Sequence, residues 1–235
     1  MLERTPRSVR LSAQGTAFLQ GARELIAAHE RAIAGLNAPP RHFGLGIAAH
    51  VAGPEVPALL SRLHAHDPNL TIEVQLDNSR NLLDLFDQGR LDAAIVQRED
   101  DRRDGETLAH ERFGWFAAQG FDHREGEPLR LAALAPTCGV RNIATQALDA
   151  AGIKWIEVFL GGGSSAVHAA VVAGLAIAPL SYRIAPAGTI DIGAKLGLPK
   201  LPPSEVVLHS SLTDRRSRAA LGALAAAFRE HRAKG

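Results

Sequence analysis

Apolar positions in this chain switch between two periods, and the switching predicts its architecture. From Asn69 to Val96, Leu70, Ile72, Val74 and Leu76 recur every second residue, as on a half-buried strand. Leu82, Leu83, Leu85 and Phe86 follow at helical spacing as far as Gly89, and Asp92 to Val96 reads as a second strand. Strand, helix and strand in so short a stretch make a compact βαβ crossover, a unit that builds parallel sheets and takes ligands where its strands end. Those ends carry Asp77, Asn78, Ser79, Gln97 and Arg98.

The same reading runs outward in both directions. Val9 to Leu11 after the Thr5-Pro6-Arg7-Ser8 turn predicts a small basic hairpin, with Ser12 as the N-cap of the next element. From Ala13 to Leu36, Phe18, Leu19, Ala22, Leu25, Ile26, Ile33 and Leu36 form a helical stripe, to be buried either on the chain's own domain or in a dimer arm. Asn37-Ala38-Pro39-Pro40 ends that helix and marks a linker. Beyond it, His42 to Ala48 reads as a strand, Val56 to His66 as a helix and Thr107 to Gln119 as a strand leading out of a first α/β lobe. A second cycle comprises strand Leu129 to Ala135, helix Val140 to Ala151, strand Trp155 to Leu160, the turn at 161–165, helix Ala166 to Ala173 and strand Leu175 to Pro179. A last strand near Glu205 to Leu212 and an alanine-rich helix over Arg216 to Arg232 are expected back on the first lobe.

Composition narrows the class. The 235 residues, 46% hydrophobic and 22% charged, have ordinary globular proportions. No apolar run approaches the roughly 20 residues needed to cross a bilayer, and the first residues lack the apolar core of a signal peptide, so a cytoplasmic protein is expected. Cys138 has no partner for an internal disulfide. A net charge of +1 excludes a broadly basic nucleic-acid coat, yet Arg4, Arg7, Arg10, Arg23, Arg31 and Arg41 crowd the first 41 residues, so polyanion contact is expected there.

Four stretches resemble the LysR-type transcriptional regulators. Glu3-Arg4-Thr5 through Val9-Arg10-Leu11-Ser12-Ala13-Gln14-Gly15 is similar to the end of that family's winged helix-turn-helix, where the wing feeds the dimerising linker helix. Leu59-Leu60 to Asp67-Pro68, Leu83 through Gly89-Arg90-Leu91-Asp92-Ala93-Ala94-Ile95-Val96, and Val171 to Leu180 are similar to its effector-binding domain. The resemblance implies an α/β fold of two periplasmic-binding-protein-like (type 2) lobes behind a wing remnant and a long linker helix. It divides the chain into 1–40, a first lobe of 41–118 with 209–235, and a second lobe of 119–208. It also implies a homodimer or tetramer, a small-molecule effector between the lobes, and DNA as partner. In the family a recognition helix precedes the wing, whereas here Met1 stands just before it, which a start set too late, a trimmed piece or a truncation would each produce; taken literally, the chain keeps Arg4, Arg7 and Arg10 for phosphate or minor-groove contact without selective base reading.

If the strands of both lobes end at one crevice, His50, Asn78, Ser79, Gln97, Thr137, Gly163 and Ser164 converge there, with helix N-termini offering N–H groups to a small carboxylate. Taken singly, Asn78, Ser79 and Ser164 read equally well as caps and turn formers. The family often has a hydroxyl residue where Ala49 and His50 stand. Enzyme, metal and cofactor signatures are weak: Gly162-Gly163-Ser164-Ser165-Ala166 misses the nucleophile-elbow pattern at its last position, Asp84 and Asp87 belong to a solvated helix face, and His64 and His66 do not share one. Cys138 opens a helix but has no partner cysteine, so packing or capping is its expected role. The rival class, a free-standing solute-binding protein of the same bilobal type, needs a signal peptide and has no use for a basic hairpin and amphipathic helix.

Overall fold

The computed structural model describes residues 41–98 and 105–211 throughout, together with residues 2–5, 8–12, 14, 15, 18, 19, 21, 22, 25, 26, 29, 222 and 225. It divides into two units, Met1–Arg41 and His42–Gly235. In the first, β1 (Leu2–Thr5) and β2 (Ser8–Leu11) pair antiparallel with Leu2 opposite Leu11, which is the expected hairpin. Ser12 Oγ accepts the N–H of Gly15 at 3.1 Å and so caps the helix that follows. The described residues from 14 to 29 are helical, and Phe18, Leu25 and Ile26 are 61%, 72% and 51% exposed, so this part of the apolar stripe faces outward. Arg7, Arg31, the Asn37–Pro40 linker and most of the expected helix at Arg216–Arg232 lie outside the described residues.

The second unit holds two layered lobes. The first contains β3 (Arg41–Ala48), α1 (Val56–His66), β4 (Leu70–Asp77), α2 (Ser79–Asp87), β5 (Ala93–Gln97) and β6 (Glu106–Glu111). The chain returns to it as β12 (Ser204–Ser210), giving the sheet order β4-β3-β5-β12-β6. β3 and β5 are parallel, whereas β12 runs antiparallel to both β5 and β6. Leu45, Ile47, Leu59, Leu63, Leu82 and Ile95 form a fully buried core, to which Ala225 also contributes. The stretch Asn69–Val96 is therefore strand, helix and strand as expected, with β3 seated between its two strands. Helix α2 stops because Gly89 takes a φ of 68°, which lets its own N–H and that of Arg90 turn back to the carbonyls of Phe86 and Leu85. The alternation on β4 holds only as far as Ile72: Val74 and Leu76 turn outward, 38% and 59% exposed, because this is the edge of the sheet and consecutive Glu73 and Val74 are both exposed.

The second lobe contains β7 (Phe113–Ala118), β8 (Leu129–Leu134), α3 (Gly139–Ala150), β9 (Trp155–Gly161), α4 (Ser164–Val172), β10 (Ala178–Ser181) and β11 (Thr189–Asp191). Strands β10 and β11 flank β7 antiparallel, and β8 and β9 run parallel. Trp115, Leu129, Leu131, Leu148 and Ile177 fill one core, while Val167, Ala170 and Val171 of α4 close a second against Phe116. The buried Trp115 indole N–H is satisfied by the Pro199 carbonyl at 2.8 Å. The single strand expected over Thr107–Gln119 is thus two, β6 in the first lobe and β7 in the second, parted at Arg112. By strand pairing, the first lobe gives way at Arg112 and resumes at Ser204, a few residues ahead of the expected changeovers at 118 and 208. The short β11 carried no hydrophobic signal of its own.

Candidate functional site

Parallel strands and the helices that follow them create the site. β3 ends at Ala48, β4 at Asp77, β8 at Leu134 and β9 at Gly161, and the turns after all four strands line one cavity of about 350 Å³. From the first lobe come Ala49, His50, Ala52, Leu76, Asp77 and Asn78. The second lobe supplies Leu134, Ala135, Thr137 and Cys138 ahead of α3, and the 161–165 turn ahead of α4. A smaller recess of about 30 Å³, almost wholly apolar, adjoins it and shares His50, Leu134, Cys138 and Ser164.

Of the seven residues expected at the cleft, His50, Asn78, Thr137, Gly163 and Ser164 stand on this wall. Ser79 and Gln97 do not: both are buried behind it, with the Ser79 hydroxyl accepting the Gln97 backbone N–H at 3.3 Å. The reason is that Ser79 is the first residue of α2 and turns into the sheet, where β5 meets it. Asp77, noted at a strand end but not among the seven cleft residues, and Cys138 also line the cavity. A strand end supplies the signal for Asp77; for Cys138 the position just before a helix pointed to packing or a cap, and the thiol packs in the second lobe's core without making a cap hydrogen bond.

The two walls differ in polarity. At the start of α2 the Asn78 side chain accepts the Asn81 N–H at 2.9 Å, and Asp77 Oδ1 receives the Asn78 N–H at 2.7 Å and both Asn78 Nδ2 and Asn81 Nδ2 at 3.0 and 3.2 Å. The positive end of that helix is therefore met by its own carboxylate and amide. Helices α3 and α4 begin at Cys138 and Gly163, both on the cavity wall, with no side-chain cap, while the Ala166 N–H of α4 is taken by the Gly163 carbonyl at 3.1 Å. Asp77 is the only formally charged side chain among the residues lining the larger cavity.

His50 sits where the two chambers meet. It is 8% exposed, and burial, reinforced by the nearby Arg183 guanidinium, pushes its pKa down to about 4, so the imidazole is neutral at pH 7. The Gln97 carboxamide opposes part of that shift without closing a hydrogen bond: His50 Nε2 and both polar atoms of the Gln97 side chain are buried without a partner. Orphaned buried polar atoms of this kind cost about 1–3 kcal/mol each unless a ligand or water meets them.

Two fastenings join the walls. Ser164 Oγ donates to the Ala49 carbonyl across the cleft. Arg183, just after β10, reaches the first lobe through Nη1 to both Glu55 oxygens at 2.7 Å and through Nη2 to the Val51 carbonyl at 2.6 Å, while its Nε donates to Glu111. Glu55 and Glu111 are 1% and 5% exposed, so this is a buried cluster. Gly53 is required beside it, since a Cβ there would stand 2.3 Å from Arg183 Nη1. Among the described residues no group of His, Cys, Asp and Glu is arranged to hold a metal, and no helix is long and apolar enough to cross a membrane.

With this geometry in view, comparison with known proteins gives a direct answer: residues 37–233 match the LysR substrate binding domain. The chain belongs to the LysR family. Among curated LysR-type regulators it is 30% identical over 210 residues to the HTH-type transcriptional regulator PecT of Dickeya dadantii, covering 88% of this chain and 66% of that protein. It is 26% identical over 236 residues to the HTH-type transcriptional regulator DgdR of Burkholderia cepacia, covering 98% of this chain and 77% of that one. Full-length OxyR from Pseudomonas aeruginosa superposes with a TM-score of 0.59 at 19% identity, over 97% of this chain and 84% of the other. The regulatory domain of OxyR2 from Vibrio vulnificus gives 0.61 at 15% identity, over 83% and 98%. The LysR regulatory fold, with its periplasmic-binding-protein-like pair of lobes, is thus the fold of this chain, and its relatives are regulators rather than transport proteins or enzymes.

Proposed function

We propose that this LysR chain works in the cytoplasm as a transcriptional regulator whose output is set by a small carboxylate held between its two lobes. One observation carries the reading: in a 350 Å³ cavity, two uncapped helix N-termini face a buried His50 whose Nε2 has no partner. The carboxylate lies against the first turns of α3 and α4, with the Thr137 and Ser164 hydroxyls and the Gly163 backbone beside it, and His50 completes the contact from the first lobe. Asn78 borders the ligand with an amide already committed to its own helix. Ser79 and Gln97 act from behind, holding β5 and packing next to His50.

Binding draws on both lobes and so biases their relative arrangement, a population shift that the rest of a LysR regulator converts into altered DNA contact. Arg4, Arg7 and Arg10 on and beside the hairpin meet phosphates, and the stripe containing Phe18, Leu25 and Ile26 pairs with a second copy.

A thermal-shift panel of small carboxylates, each run beside its neutral amide, tests the ligand class. Carboxylates are expected to raise the melting temperature and their amides to leave it unchanged, with Thr137→Val reducing the carboxylate effect. Equal shifts from acid and amide would contradict an anionic ligand. Sizing at micromolar concentration checks the dimer, which a strict monomer would overturn.

A further inference from the structure

The recess beside His50 says more about the ligand than its charge. Ala133, Val140, Val167, Leu180 and Ile184 give it an almost wholly apolar wall on which Arg141 and Ser181 also stand, and it shares Leu134, Cys138 and Ser164 with the larger cavity. Thus the wall where a carboxylate would meet the α3 and α4 N-termini also borders a small apolar recess. Its size is restrictive: a cavity that holds benzene is about 150 Å³, and one water needs about 10–15 Å³. At about 30 Å³ the recess fits one or two carbons and no ring. Water gains little there, since the walls offer almost no polar surface, and an empty void forfeits the contacts that an alkyl group would make.

We propose that the ligand is a short branched aliphatic carboxylate, whose head rests on the α3 and α4 N-termini while one alkyl branch enters the recess between Ala133 and Ile184. This rests on the cleft reading above. His50 divides the two chambers, and its neutral ring, unlike an imidazolium, admits a carbon chain past it without stranding a charge. Ala133 sits on β8, 5% exposed, with its methyl turned to the recess wall, so a slightly larger side chain at this position fills the space the branch would take.

The test is calorimetric titration of the full chain with acetate, 2-methylpropanoate and benzoate, repeated on Ala133→Val and Ile184→Val. Each methyl moved from water into carbon is worth about 0.8 kcal/mol, so with one branch in the recess 2-methylpropanoate should bind the wild type roughly fourfold tighter than acetate, and benzoate should bind no better than acetate. Ala133→Val should erase the fourfold gain and leave acetate unchanged, whereas Ile184→Val, which widens the recess by a methyl, should retain the gain and extend it to 2-ethylbutanoate. Ile184→Val gives a second reading should Ala133→Val fold poorly. Equal affinity for acetate and 2-methylpropanoate, preference for benzoate, or a gain that survives Ala133→Val would overturn the branched ligand while leaving a carboxylate cleft in place. If none of the three anions binds, the cleft reading falls and this inference with it.

Discussion

The two walls of the cleft are built from the same parts, a strand end followed by a helix N-terminus, yet they present opposite faces to whatever lies between them. On the first lobe, α2 is closed: Asn78 caps it and Asp77 gathers three donors, so its positive end is already spent. On the second, Cys138 and Gly163 stand at the cap positions of α3 and α4 and offer no side-chain cap, although the Gly163 carbonyl accepts the Ala166 N–H at 3.1 Å. A capping side chain satisfies a helix internally; leaving one out costs about 1 kcal/mol in stability and keeps the N–H groups for a ligand. On the proposed reading the asymmetry assigns the anion to the second lobe, with the first lobe as the opposing wall, fastened through Ser164 and Arg183.

The fastening is where the largest effect is expected. Replacing Arg183 with Gln strands Glu55 and Glu111 as buried carboxylates without their cation, and losses of about 3–5 kcal/mol are usual when one partner of a buried cluster is removed. Urea unfolding of Arg183→Gln should show a loss in that range. Arg141→Gln, which breaks a more exposed pair with Glu157 within the second lobe, should cost much less, and equal costs would dissolve the distinction between the fastening and an ordinary ion pair.

His50 provides the next effect. Its folded pKa of about 4 lies below the ordinary 6.5, so the unfolded chain takes up a proton first as the pH falls. Its contribution is complete above pH 6.5 and lost progressively toward pH 4, about 3 kcal/mol in all. Unfolding of wild type and His50→Gln at pH 7 and pH 4.5 should show a shallower pH dependence in the variant; parallel behaviour would mean that His50 is not buried as a neutral ring.

Smaller changes separate the walls directly. Cys138→Ser places a cap on α3 and is expected to add about 1 kcal/mol of stability while weakening carboxylate binding several-fold. Asn78→Ala should cost about 1 kcal/mol of stability and change ligand affinity less than Ser164→Ala does, because the Asn78 amide serves its own helix while Ser164 opens α4 and ties it to the Ala49 carbonyl across the cleft. A larger effect on affinity from Asn78→Ala than from Ser164→Ala would exchange the roles assigned to the two lobes.

Much of this was legible in the residues. The period-two run at Leu70–Ile72, the helical spacing through Leu82–Phe86 and the stop at Gly89 identify β4 and α2 because local packing and local turn chemistry decide those features. The gathering of His50, Asn78, Thr137, Gly163 and Ser164 was legible too, since each lies in the turn or helix start that follows a strand end. Facing was less legible: Ser79 and Gln97 lie next to the right turns, but their side chains point back into the first lobe, and only tertiary packing sets that. The fastening was invisible, because Arg183, Glu55 and Glu111 are far apart in the chain and buried charge has no local pattern. The break at Arg112 was hidden for a similar reason: β6 and β7 read as one apolar run until each finds its own sheet.

The most direct measurement is amide chemical-shift mapping of the full chain as 2-methylpropanoate is added. The account predicts saturable shifts concentrated at the first-turn amides of α3 and α4, residues 139–141 and 164–166, with the α2 amides at 79–81 nearly still. Shifts centred on 79–81, or none at either lobe, would contradict it.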